Sequence, residues 1–485
     1  MRQTRLFLAM LLWVSLCGSL RAQDVPAGVD AAAAVEQSLV GVIARNEKSV
    51  VAVARVRRER PGEAFQFETR VDAFGRKLTP LAPPQPTDPD FVPNEYGAGV
   101  VVAPGLVLTV TSLLGDESDY YVTTAEHKVY RATIKAADPR SDLAVLAIDA
   151  AGLPPIGMGK ADDVKRGQIV VSLGNPNAVA RDGQPSASWG IIANLHRKAP
   201  ASPSETDPTG RPTLHHYGTL IQTDARLNLG ASGGPLLNLK GEMIGLCVAL
   251  AVAPGAEVAG GYAMPVDATF RRAVERLVRG REVEYGFLGV QPANLRSQEV
   301  LSGLHGLRVA QLIPGTPAAR CGLKPGDIIT AVDGTPIYDS DGLILNIGRL
   351  PPETVARLTV LRNGQERAIA VVVSKYAVRG RKVVTQGDAP WRGLKVDYAT
   401  AVVDEEGRLP ASLGEADAAV AVAEVAEKSP AWQAGLRRGM LIARVGDARV
   451  ATPKEFAAVV RGSAGPVQLR LVGDASPIRT VQPGT

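Results

Sequence analysis

The sequence has 485 residues, of which 45% are hydrophobic and 21% charged, and its formal net charge is +5. This length predicts about two to four domains, and the apolar content is sufficient for several cores, so wholesale disorder is excluded. The small excess of basic residues permits an anionic partner but does not require one.

The N-terminus has the pattern of a secretory signal peptide. Two arginines precede an apolar stretch from Leu6 to Leu20, and the small residue Ala22 follows. A short membrane anchor is a weaker alternative, because the stretch is shorter than the ~20 residues that span a bilayer. A lipoprotein site at Cys17 is weaker still, because the bulky Leu16 precedes it. A signal peptide over residues 1–22 predicts a periplasmic or secreted protein.

Removal of residues 1–22 changes the charge of the mature chain. It takes away three arginines and no acidic residue, which lowers the net charge from +5 to +2 and argues against a nucleic-acid partner. Cys247 and Cys321 each lie in a hydrophobic stretch, and the two stretches fall in different predicted domains. We therefore do not expect a disulfide between them. No later segment is long and apolar enough to form a stable membrane span.

From Ser49 to Gly286, short apolar runs alternate with turn residues, a pattern typical of β-barrels. Two stretches rich in Pro and polar residues, Gly62–Asn94 and Lys198–Thr213, are predicted to be long exposed loops. The clearest strand candidates are Val50–Val56, Ala98–Val110, Leu143–Ile148, Gln168–Leu173 and Met243–Leu250.

One helix is predicted to close this region. Asp267 is a suitable N-cap, apolar residues from Phe270 to Val278 recur at helical spacing, and Gly280 supplies a stop signal. The pattern predicts a first domain over residues 36–280.

The C-terminal 200 residues contain an internal repeat. Thr316–Gly334 aligns without gaps to Ser429–Asp447, which lies 113 residues later. Each copy is predicted to end in a strand pair after a helix, so two small domains are expected over residues 283–376 and 390–482. The polar stretch Arg379–Ala389 is predicted to link them.

The helix of the second copy has a clear start signal. Thr452 and Glu455 form a capping box around a proline at the first helical position. Phe456, Val459 and Val460 are predicted to form its buried stripe.

The segment Gly230–Leu236 is the strongest candidate for a catalytic site. Small residues around Ser232 let the chain turn tightly, so successive backbone N–H groups can converge on one point, as in an oxyanion hole. An ordinary Gly-rich turn is the alternative, and the flanking sequence decides between them.

Several motifs, in the correct order from about Val40 to Val481, resemble those of HtrA-type (DegP-like) serine proteases. Gly97–Thr109 looks like the strand that leads to the catalytic His, Asp138–Leu146 like the segment of the catalytic Asp, and Gly230–Leu236 like the nucleophile loop. The resemblance implies a mainly β chain, with a chymotrypsin-like double β-barrel followed by two PDZ (α+β) domains.

The resemblance implies roles for individual residues. Ser232 takes the position of the nucleophile and Asp142 that of the orienting carboxylate, while Gly230, Ala231 and Ser232 would form the oxyanion hole. The position of the catalytic His is occupied by Ser112. Further departures are Ala231 and Leu229, where the family usually has Asn and Pro.

Loss of the histidine has a large chemical consequence, because a serine hydroxyl needs a base at hydrogen-bond distance to become a nucleophile. Removal of the triad His from subtilisin lowers kcat by about 10⁶-fold, although an intact oxyanion hole leaves roughly 10³–10⁴-fold of catalysis over water. One alternative is that Asp142 and Ser232 are relics whose side chains only cap turns. Another alternative, which stays open, is that a peptide substrate supplies the missing His.

The sequence has five histidines. All of them are interpreted as surface or loop residues, and the adjacent pair has no evident third ligand for a metal, so no metal and no cofactor are predicted. The five are His127, His196, His215, His216 and His305.

Tyr285–Val290 resembles the carboxylate-binding loop and first strand of an HtrA-type PDZ domain. In such a loop, backbone N–H groups bind a peptide carboxylate while the strand edge pairs with the peptide. Trp391–Val396 is a weaker match, and the insertion Val403–Glu415 departs from the pattern, so a merely structural second copy stays open. The predicted peptide-binding residues are Phe287, Leu288, Gly289 and Val290 in the loop and Leu343 and Ile347 on the helix.

Three functions remain as hypotheses. The first is an exported pseudoprotease that binds unfolded or C-terminally exposed polypeptides through its PDZ domains, in protein quality control or regulation. The second is an active serine endopeptidase that uses Ser232 with an unconventional base. The third is a structural scaffold in a trimer, since the resemblance implies a homo-trimer or higher oligomer.

Overall fold

The computed structural model describes residues 27–58, 70–71, 77–78, 93–175, 183–201, 210–227, 230–248, 261–416, 418–474 and 477–483. The predicted signal peptide, Leu229 and most of the two predicted long loops lie outside the described residues. Within the described residues, no helix combines the length and the apolarity needed to cross a membrane. The chain is mostly β, as predicted.

A first closed barrel follows an N-terminal helix and contains six strands. β1 pairs with β4 and β6, and pairing of β7 with β8 closes the ring. The apolar run at the start of β1 is buried at every position, because one face fills the barrel and the other meets the second barrel. The elements are α1 (Ala27–Asn46), β1 (Val50–Arg57), the short pair β2 (Arg70–Val71) and β3 (Lys77–Leu78), β4 (Glu95–Ala103), β5 (Leu106–Val110), β6 (Ser118–Thr123), β7 (Val129–Asp138) and β8 (Leu143–Ile148).

A second closed barrel has the strand order β10-β11-β14-β13-β12-β9. The predicted helix α2 (Ala268–Val278) follows it and is confirmed: the Asp267 carboxylate accepts a 2.8 Å hydrogen bond from the amide of Phe270, and Gly280 ends the helix with φ +71°. The strands are β9 (Ile169–Gly174), β10 (Ser186–Arg197), β11 (Leu220–Thr223), β12 (Pro235–Asn238), β13 (Met243–Val248) and β14 (Gly261–Pro265).

The first repeat copy forms a partly open sheet of strand order β16-β17-β18-β20-β21 around its own core. Strand β16 is at the edge of this sheet within the described residues. The elements are β15 (Gly286–Phe287), β16 (Val290–Ala293), α3 (Ser297–Leu301), β17 (Leu307–Leu312), α4 (Pro317–Arg320), β18 (Ile328–Val332), β19 (Thr335–Pro336), α5 (Ser340–Gly348), β20 (Val355–Arg362), β21 (Gln365–Val372) and β22 (Ser374–Lys375).

The second copy repeats this strand order as β24-β25-β26-β28-β29. Its predicted capping box is confirmed at Thr452 and Glu455. The predicted stripe needs one correction: Phe456 and Val460 are buried, but Val459 is 37% exposed because it lies off the core-facing side of the helix. After the strand β23 (Val383–Val384), the elements are β24 (Leu394–Tyr398), β25 (Val420–Val425), α6 (Pro430–Gln433), β26 (Leu441–Val445), β27 (Ala448–Arg449), α7 (Pro453–Val460), β28 (Val467–Val472) and β29 (Ile478–Val481).

The stretch Arg379–Ala389, predicted to be a polar link, also adds a strand to the first barrel. β23 pairs with β7 through Val383 opposite Ala137, and the amide of Thr385 donates a 3.1 Å hydrogen bond to the carbonyl of Gly280. These contacts are long-range in sequence, which is why composition alone indicated only a linker. The link is fixed to the barrel surface.

A buried lysine joins the barrels to both repeat copies. The Nζ of Lys375 lies 2.9 Å from Glu282, which follows the second barrel, and 2.8 Å from Asp397, which belongs to the second copy. Burial lowers the pKa of Lys375, but the carboxylates of Asp397 and Glu282 outweigh burial and raise that pKa above its usual value. The lysine is therefore charged and ties three parts of the chain together.

Candidate active site and peptide groove

Gly97 of β4 lets the two halves of the candidate active site approach each other. A Cβ at Gly97 would stand 2.8 Å from the carbonyl oxygen of Ser232 and 2.5 Å from a methyl carbon of Leu113. Both distances are too short for real atoms. A glycine is therefore needed to bring the nucleophile loop of the second barrel against the turn Thr111–Leu113 of the first.

The structure brings Ser112 and Asp142 together. Asp142 lies in the turn between β7 and β8 with φ +56°, and its Oδ1 accepts hydrogen bonds from the Thr111 hydroxyl (2.5 Å) and from the Ser112 amide (3.3 Å). Burial raises the pKa of Asp142 to about 6, although these hydrogen bonds oppose it. The carboxylate thus lies beside the exposed Ser112, while the assignment of Ser112 to the histidine position stays a prediction.

The candidate nucleophile loop is fastened at several points. The carbonyl of Ser232 accepts a 2.8 Å hydrogen bond from the amide of Ala98, and the amide of Gly234 donates to the carbonyl of Ala231 at 2.9 Å. Gly230 and Gly233 have φ values of +88° and +86°, which favour glycine. The tight turn predicted for Gly230–Leu236 is confirmed, while its catalytic role stays a prediction.

His215 and His216, predicted to be surface or loop residues, lie in a loop segment but are not on the surface. Both are buried in a 3₁₀ turn, Leu214–Tyr217, because this turn packs against the segment that carries Asp142. The Nε2 of His215 lies 3.1 Å from the carbonyl oxygen of Ser141, and its Nδ1 lies 3.2 Å from the hydroxyl of Thr219. Burial lowers the pKa of His215 to about 4, so its ring is neutral at pH 7.

The other three histidines, His127, His196 and His305, are exposed, in agreement with their interpretation as surface or loop residues. Among the described residues, no three His, Cys, Asp or Glu side chains gather as metal ligands would. Cys247 and Cys321 are both free thiols.

A second aspartate supports the Asp142 turn and was missed by the sequence analysis. Asp138 is buried, and its carboxylate accepts hydrogen bonds from the hydroxyl of Ser141 at 2.6 Å and from the hydroxyl of Tyr285. Burial raises the pKa of Asp138. Asp138 belongs to the Asp138–Leu146 motif, but the sequence analysis gave it no role. Its partner Tyr285 lies 147 residues away in sequence, so their contact is not visible in a local pattern.

The loop before β16 has the geometry of a carboxylate cradle. Gly289 has φ +89°, and a Cβ there would stand 2.2 Å from the hydroxyl of Thr316. Its carbonyl accepts a 3.0 Å hydrogen bond from the amide of Ile313. Because backbone groups alternate along a strand, the amide of Val290 points to the opposite, open edge of β16.

The second copy reproduces this loop with its cradle closed. Gly393 stands where Gly289 stands, since its carbonyl accepts from Ala426, the residue equivalent to Ile313. Here, however, the amide of Leu394 donates to the carbonyl of Trp391 at 2.8 Å, and the amide of Trp391 donates to Leu394 at 2.9 Å. The N–H group that would receive a peptide carboxylate is therefore already bonded.

Arg392 holds the closed loop in place. It stands where the first copy has the core residue Leu288, and its guanidinium donates to three backbone carbonyls, those of Val481, Ser463 and Gly465, at 2.7–2.8 Å. The sequence analysis missed Arg392, because its carbonyl partners lie 71 to 89 residues away in sequence.

The predicted peptide-binding residues divide between core and groove. Leu343 and Ile347 of α5 are each 4% exposed and pack in the core of the first copy, as does Leu288. The residues at i and i+4 share one face of the helix, and here that face is the core side. Ile344 of the same helix is 36% exposed and lines a large cavity. The pocket role predicted for Leu343 and Ile347 stays a prediction.

A cavity of about 1310 Å³ joins the candidate active site to the groove. Ser112 and Asp142 lie on its barrel side, and Phe287 and Ile344 lie on the side of the first copy. The insertion Val403–Glu415 of the second copy covers part of it. The cavity therefore borders all three parts of the chain.

Comparison with known families agrees with this architecture. Residues 97–246 match the trypsin-like peptidase domain, and residues 286–373 match the PDZ domain. Both matches agree with the motifs, which implied a protease-like fold for the barrels and a PDZ domain for the first repeat copy.

Individual relatives extend the match over most of the chain. A probable periplasmic serine endoprotease, DegP-like, from Halomonas elongata is 31% identical over 375 residues, which cover 76% of this chain and 74% of that protein. The periplasmic pH-dependent serine endoprotease DegQ of Escherichia coli is 28% identical over 480 residues, 97% of each chain. A solved structure of the HtrA-type protease AlgW with tripeptide has 25% identity and a TM-score of 0.51, and covers 70% of this chain and 97% of that one.

Proposed function

Because this chain belongs to the HtrA family of serine endoproteases, which combine a trypsin-like domain with a PDZ domain, we propose that it is an exported, catalytically impaired member that binds polypeptides. Its clients would be unfolded or C-terminally exposed polypeptides, and its role protein quality control or regulation. The predicted signal peptide and the periplasmic naming of its relatives support a periplasmic or secreted location.

The observation that carries the proposal is Ser112 in the histidine position beside Asp142. A hydroxyl cannot accept and return a proton near neutral pH as an imidazole does, so Ser112 cannot act as the general base that the family's histidine provides. His215 packs beside the turn that carries Asp142, but its Nε2 lies 3.1 Å from the carbonyl oxygen of Ser141 and its Nδ1 lies 3.2 Å from the hydroxyl of Thr219.

The binding role falls to the first PDZ module. Its edge strand β16 and its loop at Gly289 offer a strand edge and a carboxylate cradle, which together are the elements of peptide capture by strand addition. The closed loop between Trp391 and Leu394 supports a structural role for the second copy. We assign residues 36–280 to the protease-like domain, 283–376 to the first PDZ domain and 390–482 to the second.

The decisive experiment measures hydrolysis and binding in the same preparation. Purified mature protein is incubated with reduced casein to measure hydrolysis and, separately, with a fluorophosphonate probe to detect a reactive serine. The same preparation is titrated with fluorescent peptides that end in a free apolar residue to measure binding. We expect no Ser232-dependent hydrolysis and saturable peptide binding. The matched control is Ser232→Ala, which preserves the fold of the loop.

Two outcomes would overturn the proposal. Casein hydrolysis that disappears in Ser232→Ala would establish an active endopeptidase with an unconventional base. Absence of binding to any C-terminal peptide would favour the scaffold in a homo-trimer or higher oligomer, which mass measurement in solution would then test.

A further inference from the structure

Arg140 is a buried cation on the wall of the cavity. It is 4% exposed, and its guanidinium carbon lies 4.7 Å from the ring centre of Tyr376 and 5.1 Å from that of Tyr217. One terminal nitrogen donates a 2.9 Å hydrogen bond to the carbonyl of Pro212. The side chain is therefore held between two aromatic rings at the edge of the space that also contains Ser112.

Arg140 has no carboxylate partner in the part of the chain that the structure describes. Within the described residues, Arg140 forms no ion pair, and its Nε is buried without a hydrogen-bond partner. Burial of an unpaired charge is costly, and the cost falls when an anion enters the site. The aromatic rings stabilise a guanidinium but do not neutralise it.

The cavity as a whole is basic. Besides Arg140, its described lining includes Arg211, Arg379 and Arg408, against the single carboxylate of Asp142. Arg211 and Arg408 are paired with carboxylates outside the lining. Arg379 is exposed and donates to the backbone carbonyl of Glu406, which leaves Arg140 as the buried lining arginine without a carboxylate partner among the described residues. The fitting ligand group is an anion.

Arg140 is connected to the peptide groove through one ring. Tyr376 contacts Arg140 on one side, and its ring centre lies 6.3 Å from that of Phe287 on the other. The distance from the guanidinium to the Tyr376 ring and the distance from that ring to the Phe287 ring add up to about 11 Å. The guanidinium and the Phe287 ring are therefore no farther apart than roughly three to four residues of extended peptide.

We propose that the cavity selects a polypeptide C-terminus that carries an acidic side chain a few residues before an apolar last residue. The first PDZ module would hold the α-carboxylate and the apolar side chain, beside Phe287 and Ile344, and Arg140 would pair with the acidic side chain. This inference rests on the proposed binding function and adds to it the class of ligand. It also directs the upstream part of the bound polypeptide toward Ser112 and Asp142.

The test uses the full-length mature protein and fluorescence anisotropy. A labelled decapeptide with a fixed apolar last residue is synthesised with a single Glu at each of the second to sixth positions from its C-terminus, and each is compared with its Gln counterpart. We expect at least one position at which Glu binds about tenfold tighter than Gln, as for a hydrogen-bonded ion pair of this kind.

Variants assign the effect to one arginine. Arg140→Met should abolish the Glu preference, so that each Glu peptide binds no more tightly than its Gln counterpart. Arg408→Gln removes a cavity arginine that is already paired with Asp404, and this variant should retain the preference. Circular dichroism and thermal melting establish that the variants fold, and Arg140→Lys should keep part of the preference if Arg140→Met is unstable.

The outcomes separate this inference from the proposed function. Equal affinity for Glu and Gln peptides at every position overturns the acidic selectivity while peptide binding stands. A Glu preference that survives in folded Arg140→Met overturns the assignment to Arg140. Failure of all peptides to bind overturns the proposed function itself.

Discussion

The hydroxyl of Thr111 donates a 2.5 Å hydrogen bond to the carboxylate of Asp142. The motif alignment predicts that Asp142 is the triad acid and that Ser112 stands in the position of the histidine. The hydrogen-bond donor that Asp142 has here is a neutral hydroxyl, whereas an imidazole could become charged. Burial of the carboxylate is therefore incompletely compensated, and its pKa rises to about 6.

This raised pKa predicts that Asp142→Asn stabilises the protein at neutral pH. The native state binds the proton of Asp142 more tightly than the unfolded state, so stability is greatest at low pH and falls as pH rises from about 4 to about 6. The asparagine does not titrate and also tolerates a positive φ. We expect a gain of up to roughly 2–3 kcal/mol at pH 7.5 and little change at pH 4. Urea unfolding at both pH values measures it, and an equal effect at both would contradict the argument.

His215 predicts the opposite dependence on pH. Burial lowers its pKa from 6.5 to about 4, so the neutral ring stabilises the native state above pH 6.5, and this stability is lost as pH falls toward 4. His215→Gln keeps polar contacts but does not titrate. It should therefore remove a loss of up to roughly 3 kcal/mol in the free energy of unfolding as the pH falls from 6.5 toward 4. Titration of Asp142 has the opposite effect on stability between pH 4 and 6, so the His215→Gln variant is measured in the Asp142→Asn background. An unchanged acid slope would show that His215 is not the titrating group.

Ser112→His should restore hydrolysis. Ser112 is exposed, borders the cavity and lies beside Asp142, so an imidazole has both space and an orienting carboxylate. General-base catalysis contributes roughly 10²–10⁴-fold, and we expect a gain of at least 10²-fold on casein. The added activity should vanish in Ser112→His with Ser232→Ala, and Ser112→Ala should show none. A folded but inactive Ser112→His variant would place a second defect in the loop around Ala231.

A matched pair of substitutions distinguishes the two PDZ modules. Ile344 and Ala457 occupy equivalent positions of α5 and α7, both exposed. Ile344→Glu places a charge in the open groove and should weaken peptide binding by at least about tenfold. Ala457→Glu should leave binding unchanged, because the loop of that copy is closed. Peptide affinity of the full chain is the measurement, and a comparable loss in both variants would show that both modules bind.

Short-range signals in the sequence were sufficient for much of the fold. The helix after Asp267 and the capping box at Thr452 depend on contacts within one helical turn, which a sequence displays directly. The alternation of strands and the repeat likewise follow from local pattern. The family motifs then placed Ser112, Asp142 and Ser232 in one region.

Features that depend on distant contacts were not accessible in the same way. His215 is polar and flanked by a Pro-rich segment, which indicates a loop, but its burial comes from Ser141, 74 residues away in sequence. Ile344 and Leu343 are indistinguishable by composition, and only the helix orientation shows which one faces the groove. The unpaired charge of Arg140 is visible only when its surroundings are known.

Tyr285 has a consequence for how the modules act together. It is fully buried in the core shared by the barrels, and the next residue begins β15 of the first PDZ module. A polypeptide held in that module is therefore presented to the cavity at an effective concentration set by one geometry, without averaging over the positions of a flexible tether. If the proposed peptide binding holds, clients would be selected by the number of residues between their anchored end and the group that reaches Arg140. The chain would then discriminate by length as well as by composition.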